Sequence, residues 1–282
     1  MPHTKTTPRI YFESEGDASA PPVVLIEGLG AQMVGWRDAF VVKLVARGLR
    51  VIRLDNRDVG LSDMLGLAEN HVAGYSLADM ASDVTRMLDA LDIPAAHIVG
   101  QSMGGAIAQT MAIRYPDRVL SLVLFYTAPG FLPHLLGQAI LDSSHVTPPP
   151  PDLPRAEAVE AYVENQRVCA SPAYGFDETS VRALGALSFD RAYRPDGALR
   201  QLSAVSSGED LRPGLGAVIV PAAVIHGRDD ALVKFEAGIE IAQHLPQAEL
   251  HLYSGMGHQI AQPLWDDFAT IIERTVRRAI AS

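Results

Sequence analysis

A serine stands in a short glycine-flanked window, Gly100-Gln101-Ser102-Met103-Gly104, with Gly105 directly after it. A serine hydroxyl is a poor nucleophile near neutral pH. It attacks a carbonyl only when a base takes its proton and an acceptor orients the base's other ring nitrogen. Two later segments carry the residue types for that task. His226-Gly227-Arg228-Asp229-Asp230 offers two carboxylates, and Ser254-Gly255-Met256-Gly257-His258 offers an imidazole. Serine, acid and histidine in that chain order are suited to acyl transfer, with Asp229 and Asp230 both open as the acid.

Such groups work only if secondary structure holds them together. The apolar run at 97–99 leads into the window, and small residues with helical spacing lead out of it over 103–115. A turn made directly from strand to helix strains the backbone at Ser102, and Gly100 and Gly104 leave room for the chain to pass itself. Further β-branched or apolar runs at 23–26, 50–54, 120–125, 218–220 and 222–225 predict strands, with a last one before Ser254. Helices are predicted over 36–47, 76–91, 235–244 and 265–280. Continuous apolar strands alternating with amphipathic helices imply an α/β fold with a mainly parallel sheet covered on both faces.

Between residues 130 and 212 the alternation stops. Prolines cluster, notably over 148–151, and helix-like pieces such as 156–168 remain. A structureless loop of that length is improbable in a compact domain, so the segment is expected to be a helical cap inserted into a core made of 1–129 and 213–282. An insertion there would lie at the C-terminal strand ends, where open α/β sheets bind ligands.

Composition narrows the function classes. The 282 residues carry 23 Lys and Arg against 33 Asp and Glu, a formal charge of −10, which argues against a nucleic-acid partner. With 48% hydrophobic and 20% charged residues the chain can bury a large core. No stretch reaches the roughly 18 apolar residues of a membrane span. The Met1-Pro2-His3-Thr4-Lys5 end lacks an apolar leader core, so a cytoplasmic location is expected. Cys169 is the single cysteine, expected to be a buried free thiol, and no Cys/His cluster has zinc spacing.

Taken together, the three separated motifs resemble the α/β-hydrolase serine esterases, and the resemblance runs along almost the whole chain. It implies Asp230 as the acid and His258 as the base. It also implies an oxyanion hole made by the backbone N–H groups of Met103 and of Leu29, in the loop Glu27-Gly28-Leu29-Gly30, with Gly28, Gly100, Gly104 and Arg57 in support. Many relatives carry His where this chain has Glu27; that carboxyl is expected to be held by Arg57 or by backbone amides rather than to act in catalysis. Asp55-Asn56-Arg57-Asp58-Val59-Gly60-Leu61-Ser62 resembles the family's Asp-x-Arg-Gly-x-Gly-x-Ser loop, with Asp58 in place of the first glycine. Arg57 and Asp55 are expected to brace the oxyanion loop. Dehalogenases and epoxide hydrolases of this family use Asp at the elbow, so Ser102 argues against both.

The resemblance implies a small-molecule ester or lactone as substrate and requires no metal or organic cofactor. The 28–33 and 55–60 segments look closest to esterases of bulky polyketides, namely anthracycline methylesterases and macrolide esterases, and a macrolide lactone is the favoured expectation. General carboxylesterase activity, polyketide methyl-ester cleavage, carbon–carbon bond hydrolysis, cofactor-free perhydrolysis and a ligand-sensing role are the alternatives. In the cap, Phe131, Leu132, Leu135, Leu136, Tyr162, Tyr174, Phe176, Phe189 and Tyr193 could line an apolar pocket, with His134 facing the substrate.

Overall fold

The computed structural model describes residues 3–66, 72–141 and 149–281; Pro148 and the Met1-Pro2 end lie outside them. In chain order the elements of the first half are β1 (Phe12–Glu15), β2 (Pro22–Ile26), α1 (Asp38–Val45), β3 (Arg50–Leu54), α2 (Leu77–Ala90), β4 (Ala96–Gln101), α3 (Met103–Arg114) and β5 (Val119–Phe125). A helical segment follows: α4 (Gln138–Leu141), α5 (Arg155–Val168), α6 (Glu178–Arg191), α7 (Asp196–Ser206) and α8 (Arg212–Leu215). The chain then completes β6 (Ala222–Gly227), α9 (Glu236–His244), β7 (Ala248–Tyr253) and α10 (Trp265–Ile280).

The strands form one sheet in the order β1-β3-β2-β4-β5-β6-β7. Within this sheet β1 pairs antiparallel with β3, and the other neighbouring strands pair in parallel. Because successive strand side chains point to opposite faces, each apolar run feeds two cores. Val24, Ile52, Ile98, Leu122 and Val224 pack against α2, α3 and α9, whereas Val23, Val51, Val99, Val123 and Ile225 pack against α1 and α10. Each such side chain contributes about 1.5–3 kcal/mol on burial. That double cover makes the central strands rigid supports for whatever stands at their C-terminal ends. Helix starts are specified locally as well. Ser76 caps α2, its Oγ accepting from Asp79 N at 3.3 Å while Asp79 Oδ2 accepts from Ser76 N at 2.8 Å.

Two strand expectations need correction. Residues 218–220 are not a strand: they connect α8 to β6, and Ile219 is 71% exposed. The strand starts only after Pro221, which has no N–H for the ladder, although its carbonyl accepts from Leu122 N at 3.0 Å. Conversely β1, Phe-Glu-Ser-Glu, carries one apolar residue in four and gives no hydrophobic signal. Its pairing with β3 creates it. Among the described residues no helix is long and apolar enough to cross a membrane.

Candidate active site

Ser102 is the only residue between the end of β4 and the start of α3, and its φ is +52° with ψ −121°. Positive φ in a residue with a Cβ costs about 1–3 kcal/mol and persists where the surroundings fix it. Here they do. Ser102 N donates to Phe125 O at 3.0 Å, and Ser102 O accepts from Gly105 N at 2.9 Å and Thr127 Oγ1 at 2.7 Å. The flanking glycines are required by contact. A Cβ at Gly100 would lie 2.2 Å from Gly104 O, and one at Gly104 2.3 Å from Ile26 O. Gly28 faces the serine itself, where a Cβ would come within 3.2 Å of Ser102 Cβ.

Among the described residues the Ser102 hydroxyl has no hydrogen-bond partner. It opens into a cavity of about 1310 Å³ that is also lined by Gly28, Leu29 and His258. Met103 is the first residue of α3, so its N–H has no partner within the helix and sits at the positive end of the helix dipole.

Asp230 follows β6 and His258 lies between β7 and α10, and the two meet with His258 Nδ1 2.7 Å from Asp230 Oδ2. The other carboxylate oxygen, Oδ1, accepts from Leu232 N at 2.8 Å and Val233 N at 2.9 Å. Burial alone would push this carboxyl up. The positive charge and hydrogen bond available from His258, with His226 nearby, hold it well below the ordinary carboxylate range instead. An ionised Asp230 puts the imidazole proton on Nδ1 and leaves Nε2 as an acceptor. Tyr126 packs on the same imidazole, ring centroids 4.5 Å apart. Asp229 points elsewhere: its Oδ2 accepts from Gly255 N at 2.7 Å and ties the loop after β6 to the loop after β7.

Glu27 is buried, and one of its oxygens accepts from Gly28 N at 3.1 Å and from Gln101 Nε2 at 2.6 Å. Its other oxygen, Oε1, has no partner. Burial pushes this carboxyl up to about 8, against the lowering effect of those two donors. Tyr126 Oη donates to Gln101 Oε1, so one hydrogen-bonded chain runs from the ring on His258 to the amide of Gly28.

Arg57 is placed differently from the sequence expectation. Its side chain bonds neither Glu27 nor the loop 27–30. Its guanidinium lies on Asp83 of α2 at 2.6 and 2.9 Å, because Asp83 is buried and demands a cation. Asp55 bonds just beyond that loop, its Oδ1 accepting from Met33 N at 2.8 Å, and its cation is Arg191 of α6 at 3.0 Å. His134 faces away from the cavity, toward Glu240 at 3.4 Å, and is mostly exposed. Phe131, Leu132, Leu135 and Leu136 form a separate apolar cluster with Val233 and Ala237. Tyr162, Tyr174, Phe176, Phe189 and Tyr193 do line the cavity. Cys169 is a buried thiol beside them, outside any disulfide, its pKa pushed up to about 12 by burial and by Asp230.

Gln101 and Tyr126 were not singled out from sequence. The one available signal was their position at the C-terminal ends of β4 and β5, where strand ends face the site. Among the described residues, no group of three His, Cys, Asp or Glu side chains converges as metal ligands would.

Comparison with known proteins agrees with this architecture. The chain is 32% identical to a protein assigned as a carbamate hydrolase from Variovorax paradoxus, over 88% of this chain and 89% of that one. It is 37% identical to a rhodomycin D methylesterase from Streptomyces sp. (strain C5), over 43% of this chain and 40% of the relative. In fold it is similar to an enol-lactonase from Burkholderia xenovorans LB400, with a TM-score of 0.75, 23% identity and full coverage of both chains. Residues 21–261 match the α/β hydrolase fold family, and the chain belongs to it.

Proposed function

We propose that the protein hydrolyses a carboxylic ester of a bulky polyketide through an acyl-serine intermediate. The observation that carries this reading is the 2.7 Å contact between His258 and an ionised Asp230 at a cavity that Ser102 shares with His258. In the first half-reaction His258 Nε2 takes the Ser102 proton as Oγ bonds to the ester carbonyl carbon. The Leu29 and Met103 amides receive the developing oxyanion. Collapse breaks the bond to the alcohol, which leaves with the proton from His258. Water then gives a proton to His258, its oxygen attacks the acyl carbon, and the acid departs as Ser102 regains its proton.

Cavity size supports a large substrate, since about 1310 Å³ exceeds what a short acyl or aryl ester fills. Its charge supports one without a carboxylate: Glu164, Asp177 and Asp266 line it alongside Arg37, Lys43 and Arg194, with no excess of cations. Lys43 is moreover already paired with Asp266 at 2.8 Å. Similarity to a rhodomycin D methylesterase favours a methyl ester on an anthracycline-like ring system. The macrolide lactone expected from sequence is the second substrate to test.

The test is mass spectrometry of an anthracycline methyl ester, macrolides of two ring sizes and a short aryl ester, incubated with wild type and with Ser102→Ala. Loss of one methylene unit from the methyl ester, or gain of one water by a macrolide, with wild type alone is the expected result. Turnover of the aryl ester alone would overturn the polyketide reading. Equal turnover by Ser102→Ala would overturn the acyl-serine reading.

A further inference from the structure

The oxyanion loop is held from the helical segment that follows β5, and one of the links is a single buried side chain. Gln201 of α7 is fully buried. Its Oε1 accepts from Gly30 N at 2.8 Å and its Nε2 donates to Arg57 O at 2.7 Å. The amide therefore joins the loop after β2 to the loop after β3, using both its acceptor and its donor.

Contact and charge surround that bridge. Gly30 has φ +67°, and a Cβ there would lie 3.0 Å from Ala198 Cβ, so α7 packs directly on the turn. Next to Gln201, the buried Arg200 is 3.0 Å from Asp58 and 2.9 Å from Asp196. On the other side of the loop, Gln32 Nε2 donates to the carbonyls of Ser188 and Ala192 at the end of α6, each at 2.8 Å.

We infer that Gln201 is a positioning residue for the oxyanion hole, seating the Leu29–Gly30 peptide so that the Leu29 amide aims at the reacting carbonyl. The inference rests on the proposed role of Leu29. The Gly30 N–H belongs to the peptide that follows Leu29. Fixing that peptide plane removes the rotation by which Leu29, next to two glycines in a row of four residues, could turn its own N–H away. Preorganised donors act because they need no reorganisation as charge develops, and misplacement by about 1 Å can cost 10²-fold in rate. A glutamine suits the place because its neutral amide satisfies a donor and an acceptor at once without burying a charge. As a consequence, α7 must be docked for the hole to be formed.

The experiment compares wild type, Gln201→Leu and Gln201→Glu in ester hydrolysis and in binding of an alkylboronic acid, whose tetrahedral adduct on Ser102 places an oxygen in the hole. Ser203→Ala is the control; it removes another hydrogen bond from α7, the one Ser203 Oγ accepts from Ala73 N at 3.2 Å. For Gln201→Leu, kcat is expected to fall by about 10–100-fold with KM within twofold, and boronate affinity to fall by a similar factor. Gln201→Glu keeps the acceptor for Gly30 N and is expected to lie between the two. Ser203→Ala is expected to lower the melting temperature with kcat within twofold. Unchanged kcat and boronate affinity in folded Gln201→Leu would overturn the inference, as would an equal kcat loss in Ser203→Ala. If wild type neither turns over esters nor binds boronate, the hydrolase reading itself falls and this inference with it.

Discussion

At the residue scale, contact rather than residue type distinguishes the two adjacent acids. Asp229 and Asp230 are neighbours with the same side chain, and only the turn after β6 sends one to His258 and the other to Gly255 N. Asp230→Asn is expected to lower kcat by roughly 10³–10⁴-fold, because an amide in that place no longer fixes the imidazole tautomer. Asp229→Asn should cost less than tenfold; steady-state kinetics on the same ester separates them. Glu27 gives a second test. Its folded pKa, about 8, lies above its ordinary value of 4.5. Between those values the unfolded chain releases a proton that the folded protein keeps, so the contribution to stability is present below about 4.5 and is lost as pH rises through 8. Glu27→Gln, which cannot ionise, should therefore raise the melting temperature relative to wild type at pH 9 and not at pH 4.5. Thermal unfolding across that range checks it, and a constant difference at all pH values would contradict the assigned burial effect.

At the element scale, the strand-turn-helix around Ser102 depends on close backbone approach. Gly104→Ala would place a Cβ 2.3 Å from Ile26 O and 2.6 Å from Glu27 O, forcing α3 away from β2. A loss of at least about 2 kcal/mol is expected in denaturant unfolding, with Ser102 displaced even where the fold survives. Most of the sheet was legible because buried parallel strands leave continuous β-branched runs, and 50–54 and 265–280 match β3 and α10 at both ends. β1 was not, since an edge strand with two glutamates carries no such signal. Residues 218–220 misled for the opposite reason: an apolar run stood before the proline that delays β6.

At the scale of the whole molecule, what the sequence hid is long-range polar pairing. The motifs around Ser102, Asp230 and His258 could be picked out because each is local. Nothing local tells that Arg57 turns to Asp83, or that Asp55 takes its cation from Arg191, 136 residues away. Gln201 meets Gly30 across 171 residues, and no spacing rule reaches that far. Two of these contacts, Asp55 with Arg191 and Gly30 with Gln201, tie the helices after β5 to the loops after β3 and β2. Arg191→Met leaves the fully buried Asp55 without its cation, and a loss of about 3 kcal/mol is expected in denaturant unfolding. Activity should fall with it at temperatures where the fold persists, because Asp55 still has to hold Met33 N.

The most direct measurement is intact-protein mass spectrometry after incubation with an alkyl fluorophosphonate, followed by peptide mapping. One adduct per chain on Ser102, absent from Ser102→Ala and strongly slowed in His258→Ala, is the expected result. A wild-type chain that stays unmodified, or carries its adduct on another residue, would contradict the assignment of Ser102 as an activated nucleophile.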